Sequence, residues 1–495
     1  MSWRLPVRPN RVSGRFGRKK IMNCTKPILR KIAIASLVCL ACGLWGNALV
    51  LADSSQSNPP IPPDTAIELD AYIQQEFKKT HIPAMSVEIV DAQGVAFSGS
   101  YGEGSTLDTP YILGSISKSF TAVAIMQLVE QGKIVLADPI AAYLPSVNSD
   151  CKTTVKQLLN QTSGIHTYMT LENYQTANTT TGWEYANVNY NLLGQIVEQV
   201  SGIPYGDYIK AHIFKPLQMN HSYVSLEAAK DGGLISGHRN YFGLMIAETV
   251  GYPKDTTSGW MTVPAAYIIS TANDMGKYLQ FYLNGGKGIL TPESIHLMHT
   301  DTVFAKTDYE YGYGWGVDKR VDETLLSHGG KVENYTTYMF ILPNRDLAGI
   351  FLFNACDYFV ANDMAFQLPY QIARKLMGLK TDDIPASAYT RSHLLINGIL
   401  AMMLLIGLLP LIRIKKWCGK YKEALNAKGI AFLVLIHAVL PTLLLTMGAV
   451  LGIPIAVIAR FAPDVFLVQG ISSALLYLVG AFKVIYRAKS LPRIG

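Results

Sequence analysis

The sequence predicts an α+β fold in which one antiparallel sheet is flanked by helices and carries an all-α subdomain, followed by three C-terminal transmembrane helices. Three observations predict it. Hairpin patterns stand near both ends of the segment 65–385: 85–90 with 95–101 around "DAQG", and 335–342 with 347–353 around "PNRD". Between them, from about 110 to 310, helical spacing and loops dominate. Beyond residue 390 come three long apolar runs, free of charge up to Lys483 near the end of the third.

Taken in order, residues 1–52 hold ten Lys and Arg and no acidic residue, and an uncharged run from 32 to 52 closes on Val50-Leu51-Ala52. This reads as a signal peptide or an N-terminal anchor. Residues 53–64, with "SSQSNPPIPP", read as a linker. Helical spacing over 66–81 opens the 65–385 domain, and the first hairpin follows. The overall net charge of +7 is unevenly placed: residues 53–390 carry 21 basic and 34 acidic side chains, a net −13. An acidic central domain argues against nucleic acid as a partner.

The apolar runs 394–412, 429–455 and 465–485 are each long enough to span a bilayer. The first two are joined by "RIKKWCGKYKEALNAK", the last two by a short connection with Arg460 and Asp464, and the tail holds Lys483, Arg487, Lys489 and Arg493. By the positive-inside rule the basic connection and the tail are cytoplasmic, which puts the 65–385 domain outside the cytoplasmic membrane. Membrane lipid is then a partner of these helices, and the apolar helices also allow oligomer formation. Cys39 and Cys42 fall in the signal, Cys418 on the cytoplasmic side, and Cys151 and Cys356 leave one disulfide open.

Three motifs carry chemistry. "GSISKSFTA" places Ser115 at the start of an apolar helix that stops near Gly132, with Lys118 three residues on and therefore on the same face. S-x-x-K alone is a common coincidence. A buried amine next to a hydroxyl at a helix N-terminus nevertheless suits an acyl-transfer nucleophile. "YANVNY" supplies Tyr185 and Asn187 just before a helix, although "YLN" at 282–284 matches as well and reads as a helix end. "SHGGKVENY" supplies His328 and two glycines as a late strand enters the last hairpin. A lone histidine before glycines is most often a turn residue, so the information lies in the order of the three motifs. Neither H-E-x-x-H nor paired C-x-x-C ligand sets occur, and no metal or cofactor is expected.

With these motifs, and with "EQGKIVLADPIAAYLPSV", "LLNQTSGI", "IISTANDMGKYL" and "YGYGW", residues 65–380 resemble the serine β-lactamase and penicillin-binding-protein superfamily, nearest its class C-like branch. The resemblance implies a β-lactamase-like fold and a serine hydrolase working through a Ser115 acyl-enzyme. Lys118 and Tyr185 would share the base role, Tyr185 as a phenolate held down by a cationic lysine, and His328 would orient Tyr185 or substrate. The backbone N–H groups of Ser115 and Lys331 would form an oxyanion hole, with Gly330 letting substrate approach. Asn187 would hold a substrate amide, and Asn334 would suit an asparagine cap. His328-Gly329-Gly330 stands where K-T-G is usual, and the glutamate-bearing loop of class A enzymes is not apparent. The first resembles the variant common in the family's esterases and peptidases, and the second counts against efficient β-lactam hydrolysis.

The substrate class this implies is a small peptide, ester or acyl-amide, with D-amino-acid-containing peptides foremost. A layout of one such domain and three spans also resembles prodrug-maturing peptidases that remove an N-acyl-D-asparagine cap. Asn187 and Thr262 depart from that branch, where serine and histidine are expected. A penicillin- or peptidoglycan-binding sensor without turnover, and a β-lactamase, complete the alternatives.

Overall fold

The structure is a computed structural model, and it describes residues 61–176, 182–249, 252–253, 258–321, 323–420 and 426–490. The signal or anchor segment 1–52, with Cys39 and Cys42, lies outside the described residues.

Helix α1 (Pro63–Lys79) begins on a proline, carries Asp64 in its first turn and ends on Lys78 and Lys79, charges that complement the helix dipole. Strands β1 (Ala84–Val90) and β2 (Val95–Gly102) form the first hairpin. The short β3 (Tyr111–Ile112) leads through a turn of 3₁₀ helix, Gly114–Ile116, into α2 (Ser117–Glu130). Gly132 follows α2 at φ +67°, the left-handed conformation that ends a helix. Every α2 residue from Ser117 to Leu128 is buried, so the apolar helix expected after Ser115 is an enclosed rod. Helix α3 (Asn187–Ser201) packs beside it.

Strands β4 (His238–Tyr241) and β5 (Leu244–Ala247) form a small sheet, and β6 (Ile269–Ser270) pairs with β3 before α4 (Ala272–Leu283). The tract "YLN" closes α4, with Asn284 as its C-cap. Strands β7 (Val303–Lys306), β8 (Tyr309–Tyr311), β9 (Gly316–Asp318), β10 (Leu325–Val332), β11 (Tyr335–Leu342) and β12 (Leu347–Phe353) complete an eight-stranded antiparallel sheet of order β2-β1-β12-β11-β10-β9-β8-β7. The stretch from about 110 to 310, expected to be helices and loops, therefore yields β7 and the start of β8 to the main sheet at its C-terminal end. Strand β13 (Ala355–Cys356) joins the small sheet through β4, and α5 (Ala361–Leu376) covers the large one.

Both faces of the sheet are covered, so its central strands are buried throughout rather than on alternate residues. In β12, Ala348, Ile350 and Leu352 join the core shared with α2 and α3, while Leu347, Phe351 and Phe353 pack with α1 and α5. Cys151 and Cys356 are buried and free. The disulfide left open by the sequence is not formed.

Among the described residues, three helices are long and apolar enough to cross a membrane: α6 (Ala388–Ile412), a second running over Ala427–Val450, and a third within Pro463–Ser490. The second ends at Val450, short of residue 455, because Gly452 at φ +74° and Pro454 break it. A separate short helix, Ile455–Phe461, then leads to the third.

Candidate active site

The turn between β3 and α2 exists because Gly114 sits at φ +57°, where a side chain is strained. A Cβ there would lie 2.3 Å from the backbone N of Lys331 and 2.7 Å from the carbonyl carbon of Gly330. Across the gap, a Cβ on Gly330 would lie 2.0 Å from the Leu113 carbonyl oxygen, which accepts a hydrogen bond from Thr337 Oγ1 at 2.6 Å. Two glycines facing each other thus let the Ser115 turn lie against β10. Beyond Ser327, β10 no longer pairs with β9, so its edge from 328 to 332 is left to this turn. Ser115 stays partly exposed while Ile116, Ser117 and Lys118 are buried.

Lys118 is fully enclosed. Its Nζ lies 3.0 Å from Ser115 Oγ, 2.7 Å from Asn187 Oδ1 and 2.8 Å from the carbonyl oxygen of Ala265. Burial pushes this amine well below its ordinary range. A neutral amine has two N–H donors and one lone pair. Asn187 Oδ1 and Ala265 O only accept, so in its neutral form the amine would spend its two donors on them and turn its lone pair, in place of a third N–H, to the Ser115 hydroxyl. Ala265 belongs to Val263–Tyr267, a segment no motif singled out.

The Tyr185 side chain stands beside Ser115, and its ring centroid lies 4.8 Å from Lys118 Nζ. Burial pushes its phenol above the usual range. The directions run against a phenolate stabilised by a cationic lysine: enclosure lowers the amine and raises the phenol, so both neutral forms are favoured.

His328 is brought close, with its ring 6.3 Å from that of Tyr185, but it hydrogen-bonds elsewhere. Its Nδ1 lies 2.8 Å from Gly329 O and its Nε2 3.0 Å from the Tyr311 hydroxyl. Burial lowers the imidazole to about 3, so the ring is neutral. The Gly329 carbonyl fixes the proton on Nδ1, and Nε2 accepts from Tyr311. His328 therefore orients Tyr311, whose ring packs edge-on against Tyr185 at 6.1 Å, rather than bonding Tyr185 itself. Tyr311 lies in the "YGYGW" stretch, but nothing in the sequence marked it as the partner of His328.

Two expected substrate contacts come out differently. Asn187 is buried and turns its carbonyl to Lys118, which makes it a holder of the amine. Asn334 is 2% exposed and donates from Nδ2 to the Glu248 carbonyl oxygen at 2.6 Å, so its side chain is enclosed and tied to backbone. Thr262 Oγ1 donates to Asn191 Oδ1 at 2.7 Å within the core. The Lys331 side chain lies over Phe366, its Nζ 4.8 Å from that ring, so only its backbone borders the serine. Among the described residues no cluster of three or more His, Cys, Asp and Glu could hold a metal ion.

The site's chemistry is a hydroxyl flanked by an enclosed amine and a phenol, beside two converging backbone segments. The family model described as Beta-lactamase matches residues 69–365. Protein flp of Staphylococcus aureus (strain MW2) is 28% identical over 329 residues, which cover 60% of this chain and 64% of flp. The chain thus spans just under two thirds of the length of that curated relative. PbpX of Bacillus subtilis (strain 168) is 34% identical over 161 residues, 30% of this chain and 41% of PbpX. Among solved structures, the octameric penicillin-binding protein homologue from Pyrococcus abyssi is similar with a TM-score of 0.56 and 27% identity, covering 63% of this chain and 77% of that one.

Proposed function

The chain belongs to the beta-lactamase family of serine hydrolases, and on that premise we propose that it is a membrane-anchored, extracytoplasmic peptidase or esterase. It acts on D-amino-acid-containing peptides or small acyl substrates through an acyl-enzyme on Ser115. The observation that carries this reading is the enclosed Lys118 amine, with two contacts to pure acceptors and the third to Ser115 Oγ.

In the first step Ser115 Oγ attacks the substrate carbonyl while its proton passes to Lys118 Nζ. The carbonyl oxygen becomes an oxyanion held by the N–H groups of Ser115 and Lys331. The tetrahedral adduct collapses, the C–N or C–O bond breaks, and the leaving group takes a proton from Tyr185, which is restored from Lys118. Water then attacks the ester, gives a proton to the same unit, and releases acid and free Ser115. His328 keeps Tyr311 against Tyr185 throughout.

The burial of Asn334 takes away the residue that favoured an asparagine cap, so the broader D-aminoacyl class stands ahead of prodrug cleavage. The extracytoplasmic placement rests on the asymmetry of Lys and Arg around the three apolar helices.

One experiment tests activity and placement together. Cells expressing the full chain are given a charged, membrane-impermeant D-aminoacyl anilide and its L isomer, before and after lysis. The D isomer should turn over repeatedly and faster, at equal rates in intact and lysed cells. One-time acylation without release would support the sensor instead, and hydrolysis only after lysis would overturn the placement.

A further inference from the structure

The short helix Ile455–Phe461, between the second and third apolar helices, rests on the hydrolase domain beside the site just described. Arg460 Nε donates to Glu333 Oε1 at 2.6 Å, and its Nη2 reaches the same oxygen at 2.5 Å and the Tyr267 hydroxyl at 3.2 Å. Tyr267 in turn donates to Glu333 Oε2 at 3.1 Å. Glu333 and Tyr267 are 3% and 1% exposed, so a carboxylate and a phenol of the hydrolase domain are enclosed and meet a cation from the membrane segment. The adjacent Phe461 packs between Trp260, at 6.2 Å, and Tyr358, at 5.9 Å. Its ring and Val457 belong to the same buried core as α2.

The positions of the two anchored residues give this contact its consequence. Glu333 stands in the β10–β11 turn, two residues beyond Lys331, whose backbone N borders the Ser115 turn. Tyr267 stands two residues beyond Ala265, whose carbonyl holds the Lys118 amine. One guanidinium therefore ties together the two backbone segments that touch the oxyanion side and the base side of the site. Removing it leaves an enclosed carboxylate whose remaining ties cannot neutralise its charge, which is expensive in a buried setting. The strand end and the Val263–Tyr267 segment would then move to bring water to Glu333.

We propose that Arg460, supplied by the loop between the second and third apolar helices, is a positioning residue for the hydrolase site, acting through Glu333 and Tyr267 on the Lys331 N–H and the Ala265 carbonyl. The proposal rests on the Ser115 reading above. It makes the membrane segment a working part of the site as well as an anchor.

The test uses the full chain in detergent or membranes and the rate of Ser115 acylation by a fluorophosphonate. Arg460→Gln should lower the acylation rate constant on the order of tenfold to a hundredfold, as for a small displacement of reacting groups, with little change in reagent binding. Arg460→Lys, which keeps the charge, should recover part of it. The double variant Arg460→Gln with Glu333→Gln, which removes the stranded carboxylate, should recover most of it. A thermal melt of each variant separates this from loss of fold, because the double variant regains rate only if the fold is intact. Arg460→Gln at the wild-type rate, or a loss that the double variant does not relieve, overturns the proposal. If wild type itself is not labelled, the Ser115 reading has failed instead.

Discussion

Replacing Lys118 with alanine is expected to lower acylation of Ser115 by a factor on the order of 10² to 10⁴, the range for removing a general base. The enclosed Nζ has no substitute: His328 hydrogen-bonds Gly329 and Tyr311, and Tyr185 is a phenol raised by burial. Tyr185→Phe should cost a similar factor in turnover, because the leaving group loses its proton donor. The double variant should lose little more than either single one, since residues handling one proton as a unit are not additive. The pH profile follows from the direction of the Lys118 shift. Only the neutral amine is a base, so the rate should rise with pH through the depressed lysine value, well below the ordinary 10.5, and then stay level. A rate that falls on the alkaline side as the lysine loses its proton would instead indicate a cationic lysine supporting a phenolate. Stopped-flow acylation of the two single variants and the double one, at several pH values, checks both points.

The second large effect is expected at Gly330. A methyl group there would meet the Leu113 carbonyl at 2.0 Å and Thr337 Oγ1 at 2.2 Å, and the first of these is backbone. Strand β10 would have to withdraw from the Ser115 turn, separating the N–H groups of Ser115 and Lys331. Loss of one oxyanion donor costs about 3 kcal/mol, a factor on the order of 10² to 10³. Gly330→Ala should therefore fold and yet acylate at least a hundredfold more slowly. The neighbouring Gly329 gives the contrast. Its Cβ would meet the Phe366 ring at 3.0 Å, on the other face of the strand, and a side chain can move. Gly329→Ala should lose far less. Equal losses at the two positions would mean that the close approach to the serine turn is not what Gly330 provides. Acylation rates and melting temperatures of the two variants decide it.

Much of the fold was legible because local rules set it. Both hairpins formed around "DAQG" and "PNRD", and the helix after Ser115 stopped at Gly132, whose φ of +67° few other residues tolerate. Strands β7 to β9 were not legible: they are three or four residues long, too short to show a period. The break after Val450 was hidden inside an uninterrupted apolar run, although Gly452 and Pro454 marked it.

At the site, residue order pointed to Ser115, Lys118, Tyr185 and His328, and the fold does gather them. What order cannot give is the direction of a side chain or the depth of its enclosure. Asn187 turns to Lys118, Asn334 turns to the Glu248 backbone, and enclosure raises the Tyr185 phenol where a neighbouring charge was expected to lower it. Arg460 meets a partner 127 residues away, across a whole change of environment, and no local pattern reports such a contact.

The central claim is that Ser115 is the nucleophile, and active-site labelling of the full chain by a fluorophosphonate, mapped by peptide mass spectrometry, tests it most directly. The account predicts one adduct, on the peptide containing Ser115, absent from Ser115→Ala and strongly slowed in Lys118→Ala. An adduct on any other residue, or undiminished labelling of Ser115→Ala, would contradict it.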